Sequence, residues 1–66
     1  MKIGENIKYA MKAKNLTQTM LADKIGVKQN TISQWINGVN EPNCEMILTL
    51  CKILDTTPNE LLGWED

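Results

Sequence analysis

The sequence predicts an all-α fold, a compact domain of five short helices in which nearly every apolar side chain must pack. Its 66 residues are 42% apolar, and a chain of this length forms one small domain at most. Apolar residues recur at helical spacing throughout, and no alternating segment is long enough to predict a strand. Gly, Asn and Pro interrupt this pattern at short intervals, as expected of tight turns. We therefore expect residues 1–66 to form a single helical domain.

The five helices are predicted at about residues 2–14, 18–25, 28–37, 44–54 and 58–62. Side-chain oxygens that can cap a helix N-terminus belong to Thr17, Asn43 and Thr57. Residues suited to the left-handed conformation that ends a helix are Asn15, Gly26, Gly38 and Gly63. The last helix opens with Pro58 at its first position and Glu60 in the capping-box position.

One apolar face of each helix is expected to build the core. These faces comprise Ile3, Ile7, Ala10, Met11, Leu21, Ala22, Ile25, Ile32, Trp35, Ile36, Ile47, Leu50, Cys51, Leu54, Leu61 and Leu62. Cys44 and Cys51 lie about 10.5 Å apart along one helix, too far for a disulfide. We expect both thiols to be buried as small hydrophobic groups.

Composition excludes several classes of function. The chain has no His, which removes the commonest general base and metal ligand. No paired acidic constellation, phosphate loop or nucleophile–base pair is evident, so we expect neither an enzyme nor a cofactor or metal site. The sequence has no apolar run that could span a membrane and no leader-like segment. We expect a cytoplasmic protein without a membrane partner.

The net charge of −1 hides a strong asymmetry along the chain. All seven basic residues are Lys. Residues 1–40 contain six of them against two acidic residues, a net charge of +4, whereas residues 41–66 carry −5. Such asymmetry indicates a partner for one part of the molecule, although scattered solvated charges are the plainer explanation.

The stretch from Gln18 to Trp35 has the most informative spacing. Ala22 precedes Gly26 by four residues, and Ile32 follows it by six. Two helices that cross steeply over a short turn need a small residue where they approach, a left-handed turn residue and an apolar wedge between them. Ala22, Gly26 and Ile32 meet these needs. We therefore expect a helix-turn-helix at helices 2 and 3, whose second helix fits the DNA major groove.

Several short segments also stand in the order and spacing of a known family. They are Leu16-Thr17-Gln18, Leu21-Ala22, Ile25-Gly26-Val27, Thr31-Ile32-Ser33-Gln34-Trp35, Asn37-Gly38, Pro42 and Leu61-Leu62-Gly63. Together they resemble the lambda-repressor-like, Xre-type helix-turn-helix regulators over about residues 3–63. The resemblance implies a five-helix DNA-binding domain.

The resemblance also implies that the third helix reads base edges. The implied base-reading residues are Gln29, Asn30, Thr31, Ser33 and Gln34. Independently, a helical-wheel projection of helix 3 places an uncharged, amide-rich surface on the side facing away from the core. The alternative interpretation is that this surface is only a solvated polar face. Gln and Asn can bond adenine N6 and N7, whereas the chain has no Arg to contact guanine. We therefore expect a half-site rich in A·T.

Phosphate contacts are expected at the start of helix 2 and around helix 3. Free backbone N–H groups at a helix start attract an anion. The resemblance implies that Gln18 bonds a phosphate and braces Gln29. The expected phosphate-contacting set is Thr17, Gln18, Lys28, Asn37 and Asn40. Lys14 and Lys24 are further electrostatic candidates, although surface lysines are more often only solvated.

At two core positions the sequence departs from the pattern of the family that it resembles. Members of the family often have an Arg on helix 1 and a Glu on helix 3 that form a buried ion pair. Met11 and Ile36 stand at those positions, and we expect them to touch, with packing in place of the pair.

The chain has more apolar residues than one inner face of each helix needs. The additional residues are Met46, Ile53 and Trp64, which are expected to form a homodimer interface or else to complete the core.

The function that these residues favour is sequence-specific transcriptional regulation. We expect a repressor that binds double-stranded DNA as a dimer on a pseudo-palindromic operator. The alternative is a protein-interaction or antitoxin-type module of the same fold that works mainly through a partner protein.

Overall fold

The computed structural model describes residues 2–64, which form five α-helices. They are α1 (Ile3–Ala13), α2 (Gln18–Ile25), α3 (Gln29–Ile36), α4 (Cys44–Leu54) and α5 (Pro58–Leu62). Every predicted helix is present, and α1 and α3 are shorter than predicted by one residue at each end. No helix in this part of the chain is long and apolar enough to cross a membrane.

The three predicted side-chain caps are formed. The Thr17 hydroxyl accepts the Met20 N–H at the start of α2, at 3.1 Å. At the start of α4, the Asn43 Oδ1 atom accepts the Met46 N–H. At the start of α5, the Thr57 hydroxyl accepts the Glu60 N–H. The Glu60 carboxylate accepts a hydrogen bond from the Thr56 hydroxyl at 2.9 Å. These three helices therefore start where a short polar side chain satisfies a backbone donor, whereas α1 and α3 start at Lys2 and Lys28 without a side-chain cap.

Left-handed residues end the helices as predicted, with one addition. Asn15, Gly26, Gly38 and Gly63 all have positive φ angles. Asp55, with φ 54°, also takes this conformation at the end of α4. Sequence reasoning missed Asp55, since Asn and Asp adopt this conformation less often than Gly does. Its carboxylate lies 3.4 Å from the Lys14 ammonium at the end of α1.

The core lies between the helices and draws on all five. Its fully or nearly fully buried members are Ile3, Ile7, Met11, Leu21, Ala22, Ile32, Trp35, Leu50, Cys51, Leu54 and Leu61. All of them were predicted. The remaining predicted core residues, Ala10, Ile25, Ile36, Ile47 and Leu62, are partly buried against this cluster. Met11 is buried and Ile36 packs on the same core, but their direct contact stays a prediction.

Gly4 allows α1 to lie directly against the end of α3. Nothing in the sequence pattern indicated this close contact. A Cβ atom at this position would lie 2.5 Å from the Ile36 carbonyl oxygen and 2.6 Å from that of Trp35. Real Cβ atoms do not approach backbone oxygens so closely. The two helices can therefore pack this tightly only because residue 4 has no side chain.

A side-chain hydrogen bond joins the first helix to the last. The Asn6 Nδ2 atom donates to the Leu61 carbonyl oxygen at 3.0 Å. That oxygen belongs to the last turn of α5, where carbonyl groups lack partners within the helix. Asn6 therefore ties α5 to α1 across 55 residues of sequence.

The two cysteines differ in exposure, which corrects one prediction. Cys51 is buried in the core, but Cys44 is exposed at the first position of α4. Helical spacing places Cys44, three residues before Ile47, on the inner side of α4, but it is the first residue of the helix and is exposed there. Burial raises the pKa of the Cys51 thiol, and the Glu60 carboxylate raises it further.

We expect Gly4→Ala to lower the free energy of unfolding by about 1–3 kcal/mol, the usual cost of overpacking. The added methyl group forces α1 away from the carbonyl groups of Trp35 and Ile36. Urea denaturation followed by circular dichroism measures the change. Lys8→Ala, at an exposed position of the same helix, is the control and should have little effect. A Gly4→Ala variant as stable as the wild type would contradict the close approach.

We expect an alkylating reagent to modify Cys44 rapidly and Cys51 only after unfolding. Cys44 is exposed, whereas Cys51 is buried and its raised pKa lowers the thiolate fraction. Mass spectrometry should find one modified thiol in the native protein and two in denaturant. Cys44→Ser should abolish the rapid modification. Equal modification rates of the two thiols in the native protein would contradict the burial of Cys51 and the exposure of Cys44.

Candidate nucleic-acid interface

Helices α2 and α3 pack together across a tight turn and form the predicted helix-turn-helix. Gly26 has φ 88°, and its N–H donates to the Ala22 carbonyl oxygen at 2.8 Å. The Val27 N–H donates to the same oxygen at 3.1 Å. These two hydrogen bonds to one carbonyl oxygen end α2. The left-handed conformation of Gly26 then directs the chain towards α3.

The interior of this motif is fully apolar. Ala22 is 2% exposed, and Leu21 and Ile32 are wholly buried. Trp35, one turn after Ile32, belongs to the same core cluster. These contacts hold α3 on its inner side, so the opposite side is presented to solvent in a fixed orientation.

The outer side of α3 is polar and uncharged, as predicted. Gln29 and Asn30, at the start of the helix, are exposed, while Thr31, Ser33 and Gln34 are half-buried. The side chains of Gln29 and Asn30 make no hydrogen bond with any other group of residues 2–64. Both amides therefore keep their donors and acceptors for another molecule. We call this group, residues 29, 30, 31, 33 and 34, the amide surface.

The second half of the amide surface is hydrogen-bonded internally. The Asn37 Nδ2 atom donates to the Ser33 hydroxyl at 3.3 Å. The Asn40 Nδ2 atom donates to the Gln34 Oε1 atom at 2.9 Å. Asn37 and Asn40 were predicted to contact phosphates, and that role stays a prediction. The bond from Asn40 to Gln34 was not predicted, because a contact across a loop leaves no periodic signal in the sequence.

The start of α2 presents the features expected of a phosphate site. Thr17 is exposed, and its hydroxyl oxygen accepts the Met20 N–H, which leaves the hydroxyl proton available to donate. Gln18, the first residue of the helix, is half-buried. No hydrogen bond joins Gln18 to Gln29 within the described part of the chain, so the expected brace stays a prediction.

The lysines near the motif differ in their surroundings. Lys28 is exposed at the N-cap position of α3, beside the amide surface. Lys24 is exposed in the last turn of α2. Lys14 lies against Asp55, and an exposed pair of this kind adds at most about 1 kcal/mol. Lys28 is therefore the lysine best placed to attract an anion beside the amide surface.

The residues predicted at a dimer interface are spread over the surface of α4 and beyond α5. Met46 and Ile53 are half-buried and pack partly on the core, while Trp64 is 69% exposed. The structure adds Leu48, which is 58% exposed on α4. Sequence reasoning missed Leu48, because the nearly continuous apolar run of α4 hides which of its residues face outward.

The outer side of α3 is suited to hydrogen bonding with another molecule. Amide and hydroxyl groups on a rigid helix can each donate and accept hydrogen bonds, as base edges in the major groove require. No group of three or more Cys, Asp or Glu residues suited to a metal ion occurs among residues 2–64.

Comparisons with known proteins agree with this geometry. The HTH-type transcriptional activator BcrR of Enterococcus faecalis is 35% identical over the whole chain, and the match covers 32% of that protein. Repressor protein C2 of Salmonella phage P22 is 38% identical over 91% of the chain, which corresponds to 28% of the repressor. The chain thus spans about a third of the length of these relatives.

The fold has a close counterpart among solved structures. The crystal structure of the P22 c2 repressor protein in complex with synthetic operator 9T superimposes with a TM-score of 0.88. The match covers 98% of both chains at 35% identity. The sequence pattern of the helix-turn-helix family matches residues 7–61, which include all of α2, α3 and α4. The chain therefore belongs to the helix-turn-helix family.

Proposed function

We propose that the protein is a sequence-specific DNA-binding transcriptional regulator that acts as a repressor in the cytoplasm. In this proposal α3 lies in the major groove and the amide surface meets the base edges. The proposed phosphate contacts on either side come from Thr17, Gln18, Lys28, Asn37 and Asn40. The proposed activity is binding alone, without a catalytic step or a cofactor. A protein seated on an operator represses by occupying the DNA that the transcription machinery needs.

The observation that carries this proposal is the agreement with an operator-bound repressor over nearly the whole chain. The agreement includes the two helices of the motif and the core that holds them. The amide surface adds an independent argument. An exposed helix side built from amides and hydroxyls, without charge, suits direct readout of base edges better than it suits simple solvation.

Charge supports the same orientation. Lys28 and Lys24 lie on the helix-turn-helix, whereas most acidic residues belong to residues 41–66. The helix-turn-helix side would therefore face the phosphates while the acidic part faces away. With seven Lys and no Arg, the salt dependence of binding should be modest.

We also propose that the protein binds DNA as a homodimer. One helix-turn-helix contacts little DNA, and two copies on a pseudo-palindrome multiply their affinities. The exposed apolar residues Leu48 and Trp64, with the half-buried Met46 and Ile53, are the proposed interface.

We expect Gln29→Ala to weaken binding to the selected operator by about 1–3 kcal/mol and to relax preference at one base position. The truncation removes an amide that has no partner within the described chain. Selection from random duplexes, followed by gel-shift titration at several salt concentrations, measures both effects.

Asn59→Ala removes an exposed amide from α5 and is the matched control; it should leave affinity and preference unchanged. A uniform loss over all sequences in Gln29→Ala would contradict a base-reading role for Gln29. Wild-type protein that shifts DNA only after a partner protein is added would favour the interaction module instead of a repressor.

We expect Leu48→Asp to shift the protein from dimer towards monomer in sedimentation equilibrium, because it puts a charge into an apolar contact. Leu48 is the better target because Met46 and Ile53 also pack on the core, so Asp there would weaken the fold itself. Tyr9→Asp, at an exposed residue of α1, controls for added charge. An undiminished dimer would exclude the α4 surface as the interface.

A further inference from the structure

We propose that Asn40 is a positioning residue that decides which hydrogen-bonding groups Gln34 offers to a base, and so sets base preference at one position of the operator. This inference rests on the proposed DNA-binding function and deepens it. It assigns a specificity role to a loop residue outside the amide surface.

The main chain fixes Asn40 beside Gln34. After α3 the chain turns at Gly38, which has φ 75°. The Val39 N–H then donates to the Gln34 carbonyl oxygen at 2.9 Å, and the Asn40 N–H to the same oxygen at 3.4 Å. The loop is thus anchored on the residue whose side chain it touches. These main-chain bonds therefore hold Asn40 within reach of the Gln34 side chain.

The side-chain bond orients the Gln34 amide. The Asn40 Nδ2 atom donates to Gln34 Oε1 at 2.9 Å. Because the amide group is planar, fixing its oxygen towards the loop turns its nitrogen away from the loop. Gln34 therefore presents the two N–H donors of Nε2 to an approaching base, with one of the two acceptor positions of Oε1 already occupied.

This orientation matches some bases better than others. Guanine offers two acceptors in the major groove, N7 and O6, and thymine offers O4. Adenine needs a donor and an acceptor together, and cytosine offers only a donor. Gln34 should therefore favour guanine or thymine, whereas the unengaged amides of Gln29 and Asn30 remain suited to adenine. At this one position the operator need not follow the A·T-rich expectation.

Asn40→Asp tests the mechanism by reversing the bond. A carboxylate can only accept, so it binds Gln34 through Nε2 and turns Oε1 outward. Base preference at the Gln34 position should then move from guanine or thymine towards cytosine or adenine. We expect about a five- to tenfold change in relative affinity at that base pair. Competition gel shifts with all four base pairs at each operator position measure it.

Three controls separate this effect from simpler ones. Val39→Asp adds the same charge one residue earlier, at an exposed position, and should weaken all sequences alike. In a Gln34→Ala background, Asn40→Asp should no longer change base preference. Asn40→Ala frees the Gln34 amide and should let adenine compete at that position. Circular dichroism with thermal melting verifies that each variant is folded.

The outcomes distinguish this inference from the function on which it rests. A wild-type protein that selects no sequence overturns the proposed function and the inference with it. A wild type that selects an operator, with Asn40→Asp keeping the same base preference, overturns the role of Asn40 alone. So does a shift of equal size in the Gln34→Ala background. A shift confined to one base pair and dependent on Gln34 supports it.

Discussion

The close approach of α1 to the end of α3 is the constraint on which the rest of the arrangement depends. At Gly4 the backbone of α1 lies directly against the carbonyl groups of Trp35 and Ile36. The other end of α3 is held by the turn at Gly26, where two N–H groups converge on one carbonyl oxygen of α2. The helix is therefore fixed at both ends, and its outer side keeps its orientation without help from a ligand. A reading surface needs such rigidity, because base edges are distinguished by hydrogen-bond direction as well as by position.

The amide surface divides its hydrogen-bonding capacity between the protein and a partner. Ser33 and Gln34 already receive bonds from Asn37 and Asn40. Gln29 and Asn30 remain unengaged within the described chain and stand at the start of the helix. The start of a recognition helix is the part that enters the groove most deeply. The amide surface therefore has unengaged side chains at the start of α3 and hydrogen-bonded side chains later in the helix.

Much of the fold could be predicted because its signals are local or periodic. Helix starts are predictable because a capping side chain accepts the backbone N–H only three residues later, as at Thr17, Asn43 and Thr57. The buried residues repeat with the helical period, so the core could be read from spacing. The helix-turn-helix was evident because a small residue and a Gly are required at a fixed distance.

The features that escaped prediction depend on contacts between distant segments. Gly4 carries no turn signal, and its role appears only when α3 lies beside it. Asn6 reaches a carbonyl oxygen 55 residues away. Cys44 and Leu48 belong to an apolar run whose inner and outer sides composition alone does not separate. In the candidate site, the residue types of the amide surface were predictable, but the internal bonds that orient them were not.

The turn at Gly38 has a consequence for how such a protein can diverge. It brings the exposed residues Val39 and Asn40 back onto α3. A substitution at Asn40 leaves the buried residues of α3 unchanged and still reaches the Gln34 side chain on its outer side. Under the proposed function, base preference can therefore change at this one loop residue while the helix and the fold stay the same. Two proteins with identical α3 sequences would then need not share an operator.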